Sequence, residues 1–172
     1  MDVVFSGRIF EILQQGTKLE IARRAPGIRL IIIKDNKMLI TKEFRREIND
    51  YDYRLPGGKV FDTLKEYNLH SKDDILAFAV EAAKKECLEE TGLKPNRLTH
   101  FQTTKAGATI EWDLFYFIVD DFEEEKQRLE EGEDIKVEWK TFKEVKLLLI
   151  ENQIREDRTV GVLFRYLNGM SY

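Results

Sequence analysis

The run Ala82-Ala83-Lys84-Lys85-Glu86-Cys87-Leu88-Glu89-Glu90-Thr91-Gly92-Leu93 narrows most what this chain can become. Ser71 with Asp74 three residues on has the outline of a capping box, Asp replacing the usual Glu or Gln. Gly92, with Pro95 just beyond, is a helix stop. A helix is therefore expected from about Ser71 to Thr91. Glu86, Glu89 and Glu90 stand at i, i+3 and i+4, share one face and repel one another. They also crowd the last turns, where the helix dipole disfavours negative charge. At about 100° per residue, Glu86 and Glu89 extend the stripe of Ile75, Phe78, Ala79 and Ala82, while Glu90 lies beside Ala83. The polar side is Glu81, Lys84 and Lys85. A solvated, glutamate-rich helix end is the bland alternative, and this phase argues against it. Carboxylates on the side that packs need a cation or must take up protons. A hard divalent ion such as Mg²⁺ or Mn²⁺, which prefers oxygen ligands, resolves the conflict.

Strand-like segments surround this helix. Val4 to Leu13 and Lys18 to Arg23 mix β-branched, aromatic and alternating residues. Arg29-Leu30-Ile31-Ile32-Ile33 reads as a buried strand, and Asp35-Asn36 turns it back into Met38-Leu39-Ile40-Thr41. Leu55-Pro56-Gly57-Gly58 breaks the pattern, and its glycines, Gly58 included, let backbone approach a ligand without side-chain obstruction. A loop is expected over 61–70. Further strands are expected near Leu98–Thr103, Ile110–Val119 and Ile135–Thr141, with closing helices over Phe142–Glu151 and Glu156–Leu167. The sum is an α+β fold with a mixed sheet and helices packed on it. The length of 172 residues fits one domain, 1–172, in which 1–26 form an N-terminal strand extension. A net charge of -4 speaks against nucleic acid as the main partner, but not against a phosphate-bearing small molecule held through a cation. No stretch is apolar over the length of a membrane span, and the first residues lack the layout of a signal peptide. The single cysteine, Cys87, excludes an internal disulfide, so a cytoplasmic setting is the expectation.

Lys85-Glu86-Cys87-Leu88-Glu89-Glu90-Thr91-Gly92-Leu93 resembles the helical half of the Nudix hydrolase signature, and Leu55-Pro56-Gly57-Gly58-Lys59-Val60 resembles the glycine loop before it. The order of elements over most of the chain is similar to the Nudix α/β/α sandwich. The resemblance implies that Glu86, Glu89 and Glu90 are metal ligands, joined by the backbone carbonyl of Gly57. It implies a general base on the helix, Glu89, or in the loop before the last strand, Glu133 and then Glu131. Relative to the family pattern, Lys85 replaces an arginine, the loop glutamate is missing, and residues 61–71 read as an insertion. Glu81, four residues before Lys85, is the expected substitute partner for it.

Arg23-Arg24-Ala25-Pro26-Gly27, Glu43-Phe44-Arg45 and Gly132-Glu133-Asp134 are similar to the ADP-ribose pyrophosphatase branch. That resemblance implies cleavage of the diphosphate linkage of ADP-ribose or a nucleotide sugar, substrate contacts from Arg45 and Arg24, and a homodimer built on the N-terminal strands. Thr109, where a proline is usual, and Arg54, where an acidic residue is usual, depart from it. A Nudix-fold module that binds a nucleotide without cleaving it is the alternative. The aromatic residues Phe115, Tyr116 and Phe117 are expected in the core, with Trp112 the least settled of the group. His70, His100 and Cys87 are expected to be structural.

Overall fold

The computed structural model describes residues 1–46 and 48–169. The chain opens with an antiparallel meander of β1 (Asp2–Ser6), β2 (Glu11–Gln15) and β3 (Leu19–Arg23). It then builds a mixed sheet from β4 (Gly27–Lys34), β5 (Lys37–Arg45), β6 (Asp50–Arg54), β7 (Leu93–Thr104), β9 (Leu114–Glu124) and β10 (Ile135–Thr141). Short β8 (Ile110–Glu111) runs parallel to β3 and completes the first sheet, so the link from β8 to β9 joins the two sheets. The helices are α1 (Leu64–His70), α2 (Ile75–Thr91), α3 (Phe142–Ile150) and α4 (Asp157–Gly169).

Strand order in the mixed sheet is β10-β5-β4-β9-β7, with β4 and β9 parallel and central and β6 attached to the far end of β5. Both faces of β4 are covered, which is why it reads as a continuous apolar run. Ile28, Leu30 and Ile32 point to α2, whose small side chains Ala79, Ala83 and Cys87 admit close packing. Ile31 points the other way, to Val145 and Leu149 of α3 and Val162, Leu163 and Leu167 of α4. Successive side chains alternate across the sheet, giving helix, sheet and helix layers. Among the described residues no helix is long and apolar enough to cross a membrane.

The path of β5 opens the functional region. It pairs with β4 only beside the hairpin, at Ile33↔Met38 and Lys34↔Lys37, and then diverges to pair with β6 at Thr41–Arg45. The first half of β4 thereby loses a partner strand, and buried backbone donors need one. The loop after β6 fills the gap: Ile28 donates its N–H to the Gly58 carbonyl at 2.9 Å and Leu30 to the Pro56 carbonyl at 2.8 Å.

Several boundaries differ from the sequence expectation. The segment 61–70 is not all loop, because α1 forms in it, capped by Thr63 accepting from the Glu66 N–H. Ser71 is the C-cap of α1; Asp74 is the N-cap of α2, accepting from the Leu76 N–H. Strand β7 begins at Leu93, immediately after the left-handed Gly92, rather than near Leu98. The expected pairing of Glu81 with Lys85 does not occur. Glu81 meets Lys84 at 2.7 Å, while Lys85 reaches Glu89 at 3.4 Å.

Candidate active site

A cavity of about 320 Å³ lies where β5 leaves β4, between the glycine loop and the C-terminal end of α2. Its two sides differ in charge, carboxylates facing arginines.

The acidic side comes from α2. The stripe Ala79, Ala83, Cys87 buries the helix, and the next step along it is Glu90, only 9% exposed. The Gly57 N–H donates to Oε2 of Glu90 at 2.7 Å. Gly57 has a φ of +153°, and a Cβ there would stand 2.2 Å from the Ile28 carbonyl oxygen, so the residue must be glycine for the loop to lie on β4. At Gly58 the obstacle would be a carboxylate, because a Cβ would stand 2.0 Å from Oε1 of Glu86. Two adjacent glycines thus serve two purposes, one the strand and the other the glutamate.

Burial raises Glu86 to about 7, with the neighbouring Glu89 charge adding to the effect and Lys85 opposing it. Burial raises Glu90 to about 8, against the Gly57 N–H that favours its charged form. For both carboxyl groups the nearby cations, Lys85 for Glu86 and Arg29 for Glu90, do not outweigh burial.

The opposite side is rich in guanidinium groups. Arg29 of β4 is buried and forms a two-pronged pair with Glu156, Nε to Oε2 and Nη2 to Oε1 both at 2.9 Å, while Nη1 donates to the Ile28 carbonyl. Burial alone would raise Glu156, yet the Arg29 guanidinium and the Thr159 hydroxyl hold it down at about 2. Arg54, at the end of β6, reaches Asp52 at 3.3 Å, Glu43 at 3.6 Å and Glu156 at 3.9 Å. Arg45 meets Glu43 at 2.9 Å. Trp112 in the β8–β9 link lies under the Arg24 guanidinium, 4.1 Å from its ring centre.

The segment after β9 closes the cavity from above. The Gly92 carbonyl accepts from the Glu125 N–H at 2.7 Å, the Glu89 carbonyl from the Arg128 N–H at 2.9 Å, and the Glu90 carbonyl from the Gln127 side chain. These bonds satisfy carbonyls that a helix end leaves open. Gly92 is required for the approach, since a Cβ there would stand 2.7 Å from the Glu125 carbonyl oxygen. The loop so anchored brings Glu130 and Glu133 to the cavity; Glu131 is exposed and does not line it.

Of the residues singled out in the sequence, Glu86, Glu89, Glu90, Gly57, Gly58, Arg24, Arg45 and Glu133 all line this cavity. Arg23 does not; it pairs with Glu11 at 3.2 Å and Glu111 at 3.1 Å. Phe115, Tyr116, Phe117 and Cys87 are buried in the core as expected, whereas Trp112 lines the cavity. Sequence reading gave no site role to Arg29, Glu43, Arg54 or Glu156, which also line the cavity. A charged residue inside an otherwise apolar strand, as Arg29 is, was the one available signal.

Among the described residues, no three Asp, Glu, His or Cys side chains are grouped closely enough to hold an ion as they stand. Glu90 is turned onto the Gly57 amide, Glu86 onto Gly58 and Glu89 towards Lys85. The donors themselves are oxygen only, and two are desolvated without a cation, which is the chemistry a hard divalent ion takes.

Comparison with known proteins bears on the family and the fold. The family model described as NUDIX domain matches residues 23–160. A solved structure of an ADP compounds hydrolase aligns with a TM-score of 0.69 and 19% identity, over 98% of this chain and 92% of that one. The MutT NUDIX hydrolase from Burkholderia pseudomallei aligns with a TM-score of 0.50 and 20% identity, over 69% of this chain and 84% of its own. No curated protein matches the chain in sequence.

Proposed function

The chain belongs to the NUDIX domain family and is an enzyme of its hydrolase class, and on that premise we propose a divalent-metal-dependent hydrolase of the diphosphate linkage in ADP-ribose or a related nucleotide sugar. The observation that carries this reading is the pair of desolvated carboxyls, Glu86 and Glu90, seated on the glycine loop and facing a wall of arginines. Glu86, Glu89 and Glu90, with the carbonyl of Gly57, are the ligands for Mg²⁺ or Mn²⁺. When bound, the ion supplies Lewis-acid polarisation of the diphosphate and lowers the pKa of a water.

The rest falls to the chain's own groups. Glu89, paired with Lys85 at 3.4 Å, accepts the proton of the attacking water. If the base comes from the loop instead, cavity position favours Glu133 over Glu131. Arg45 and Arg24 hold the diphosphate or adjoining sugar, and Gly58 lets the backbone approach it. ADP-linked compounds lead the list of substrates because a structural neighbour that covers nearly all of the chain is an ADP compounds hydrolase.

We further assign residues 1–172 to one domain, with 1–26 as an arm that forms a homodimer in the cytoplasm. Support for the arm is that β1 is an edge strand with Val3, Val4 and Phe5 each more than half exposed. Light scattering that finds only monomer would remove the dimer.

The test of function is turnover of a panel of nucleoside diphosphate derivatives, ADP-ribose included, with Mg²⁺, with Mn²⁺ and with chelator. Metal-dependent release of a nucleoside monophosphate is the expected result. Binding without cleavage of any compound would overturn it in favour of a nucleotide-binding module.

A further inference from the structure

We propose that Arg24, Trp112 and Arg158 form an anion subsite that takes a phosphoryl group of a nucleotide. The assignment deepens the hydrolase reading and rests on its premise that the cavity takes nucleotides.

Trp112 carries two guanidinium groups on one indole, Arg24 at 4.1 Å and Arg158 at 4.0 Å from the ring centre. Each stacking is attractive by itself, but the two cations repel. Both arginines are lowered, first by burial; Arg29 and Arg158 lower Arg24 further, and Arg29 does the same to Arg158.

Glu156 acts on both guanidinium groups and Asp113 on Arg158 from a distance, but among the described residues no carboxylate pairs with either. Among the described residues, the Arg24 guanidinium makes ring contacts with Trp112 and Phe10 and no hydrogen bond or ion pair, its backbone N–H alone donating to the Glu111 carbonyl. Arg158 donates from Nη1 to the Trp112 carbonyl at 2.8 Å, and its Nη2 is buried without an acceptor. The indole Nε1 is also buried without one. Glu156, whose charge acts on both arginines, is committed to Arg29 through both its oxygens. Buried donors are ordinarily satisfied, and this cluster holds two unsatisfied ones beside an excess of positive charge.

The missing partner must therefore accept from several directions and carry negative charge. A phosphoryl group does both, and guanidinium groups match its geometry. The position is apt as well. A Cβ on Gly27 would lie 3.9 Å from the Trp112 Nε1 and 3.0 Å from the Gly58 carbonyl oxygen, which sets the indole N–H beside the glycine loop. A phosphoryl group there adjoins the carboxylates of α2 on its other side.

Trp112 reports on its own site. The chain has two tryptophans, and W139F leaves Trp112 as the sole emitter while keeping an aromatic ring against Phe122. This protein is titrated with AMP and with orthophosphate in chelator, following Trp112 emission. A saturable change is expected, weakened about tenfold in R158Q, the scale of one lost charge-assisted hydrogen bond. R158K, which keeps the charge but loses the fork, falls between the two. Tighter binding of AMP supports a nucleotide occupant; equal affinity supports the same subsite with free phosphate in it. No saturable change with either anion overturns the proposal, as does native-like affinity in both Arg158 variants with their circular dichroism intact. Turnover plays no part in the readout. A protein that binds AMP but cleaves nothing keeps the subsite and loses the hydrolase reading, and a hydrolase indifferent to Arg158 does the reverse.

Discussion

Glu90 and Glu156 line one cavity, both are largely buried, and their carboxyls are driven in opposite directions, to about 8 and about 2. Desolvation acts on both in the same sense. Glu156 is met by a guanidinium that the fold delivers from β4, gripping both oxygens. Glu90 receives one backbone N–H and, among the described residues, no cation in contact, Arg29 acting on it only from a distance. Burial therefore does not decide what a carboxylate is for; the origin of its counter-charge does. Where the chain supplies the charge, the group fastens α4 to the sheet. Where it withholds the charge, the group is left for something from outside.

Breaking the satisfied member should do the most harm to the fold. E156Q leaves the Arg29 guanidinium buried against a neutral amide and should cost about 3–5 kcal/mol, read as a fall in the urea midpoint with an unchanged slope. A loss below about 1 kcal/mol would mean that the pair is no more than a surface bridge. For the unsatisfied member the prediction reverses. E90Q should lower metal-dependent turnover by about 100-fold or more, yet raise the melting temperature of the metal-free protein. Turnover near the parent level would remove Glu90 from the metal site.

The contrast also has a pH signature. Glu86 and Glu90 bind protons more tightly when folded, rising from 4.5 to about 7 and about 8, so the folded state holds more protons than the unfolded between these values. Their contribution is complete below about pH 4.5 and is lost as pH rises through 7 and 8. Glu156 has the opposite sign: its contribution is complete above pH 4.5 and lost as pH falls towards 2. Metal-free stability should thus decline as pH rises from about 4.5 to about 8 and level off above that, and saturating Mg²⁺ should remove that decline. Stability that stays flat between about pH 5 and 8 in chelator would contradict the assigned burial. The smallest effect is expected at the exposed partner. K85A removes an ion pair with Glu89 whose lysine side chain is 58% exposed, and should cost about 0.3–0.5 kcal/mol and little activity.

Helix phase was enough to place Glu86, Glu89 and Glu90 on the packing side of α2, because a period of 3.6 carries over directly from residue number to direction. The loop glycines were legible for a similar reason, since adjacent glycines after a proline announce close backbone approach. Other features were hidden. Glu156 looks like any helix-start glutamate until Arg29, 127 positions away, is seen to meet it. Arg54 departs from its family's habit, and its three carboxylate neighbours come from β5, β6 and the start of α4. Trp112 sits in a short link with no periodicity to read. The misplaced start of α2 has a local cause: Ser71 and Asp74 are both good caps, and the chain uses one to end α1 and the other to begin the next helix.

By itself the sequence determined the order of the core strands and of α2, α3 and α4, the helix that carries three glutamates, and the glycines on which two of them rest. Those depend on local periodicity and backbone freedom, which neighbouring residues set among themselves. Only the tertiary structure decided which buried charges are answered from within. That outcome depends on β5 leaving β4, on the loop that replaces it, and on arginines brought in from distant strands. A counter-charge is a matter of distance in space, and distance along the chain does not encode it.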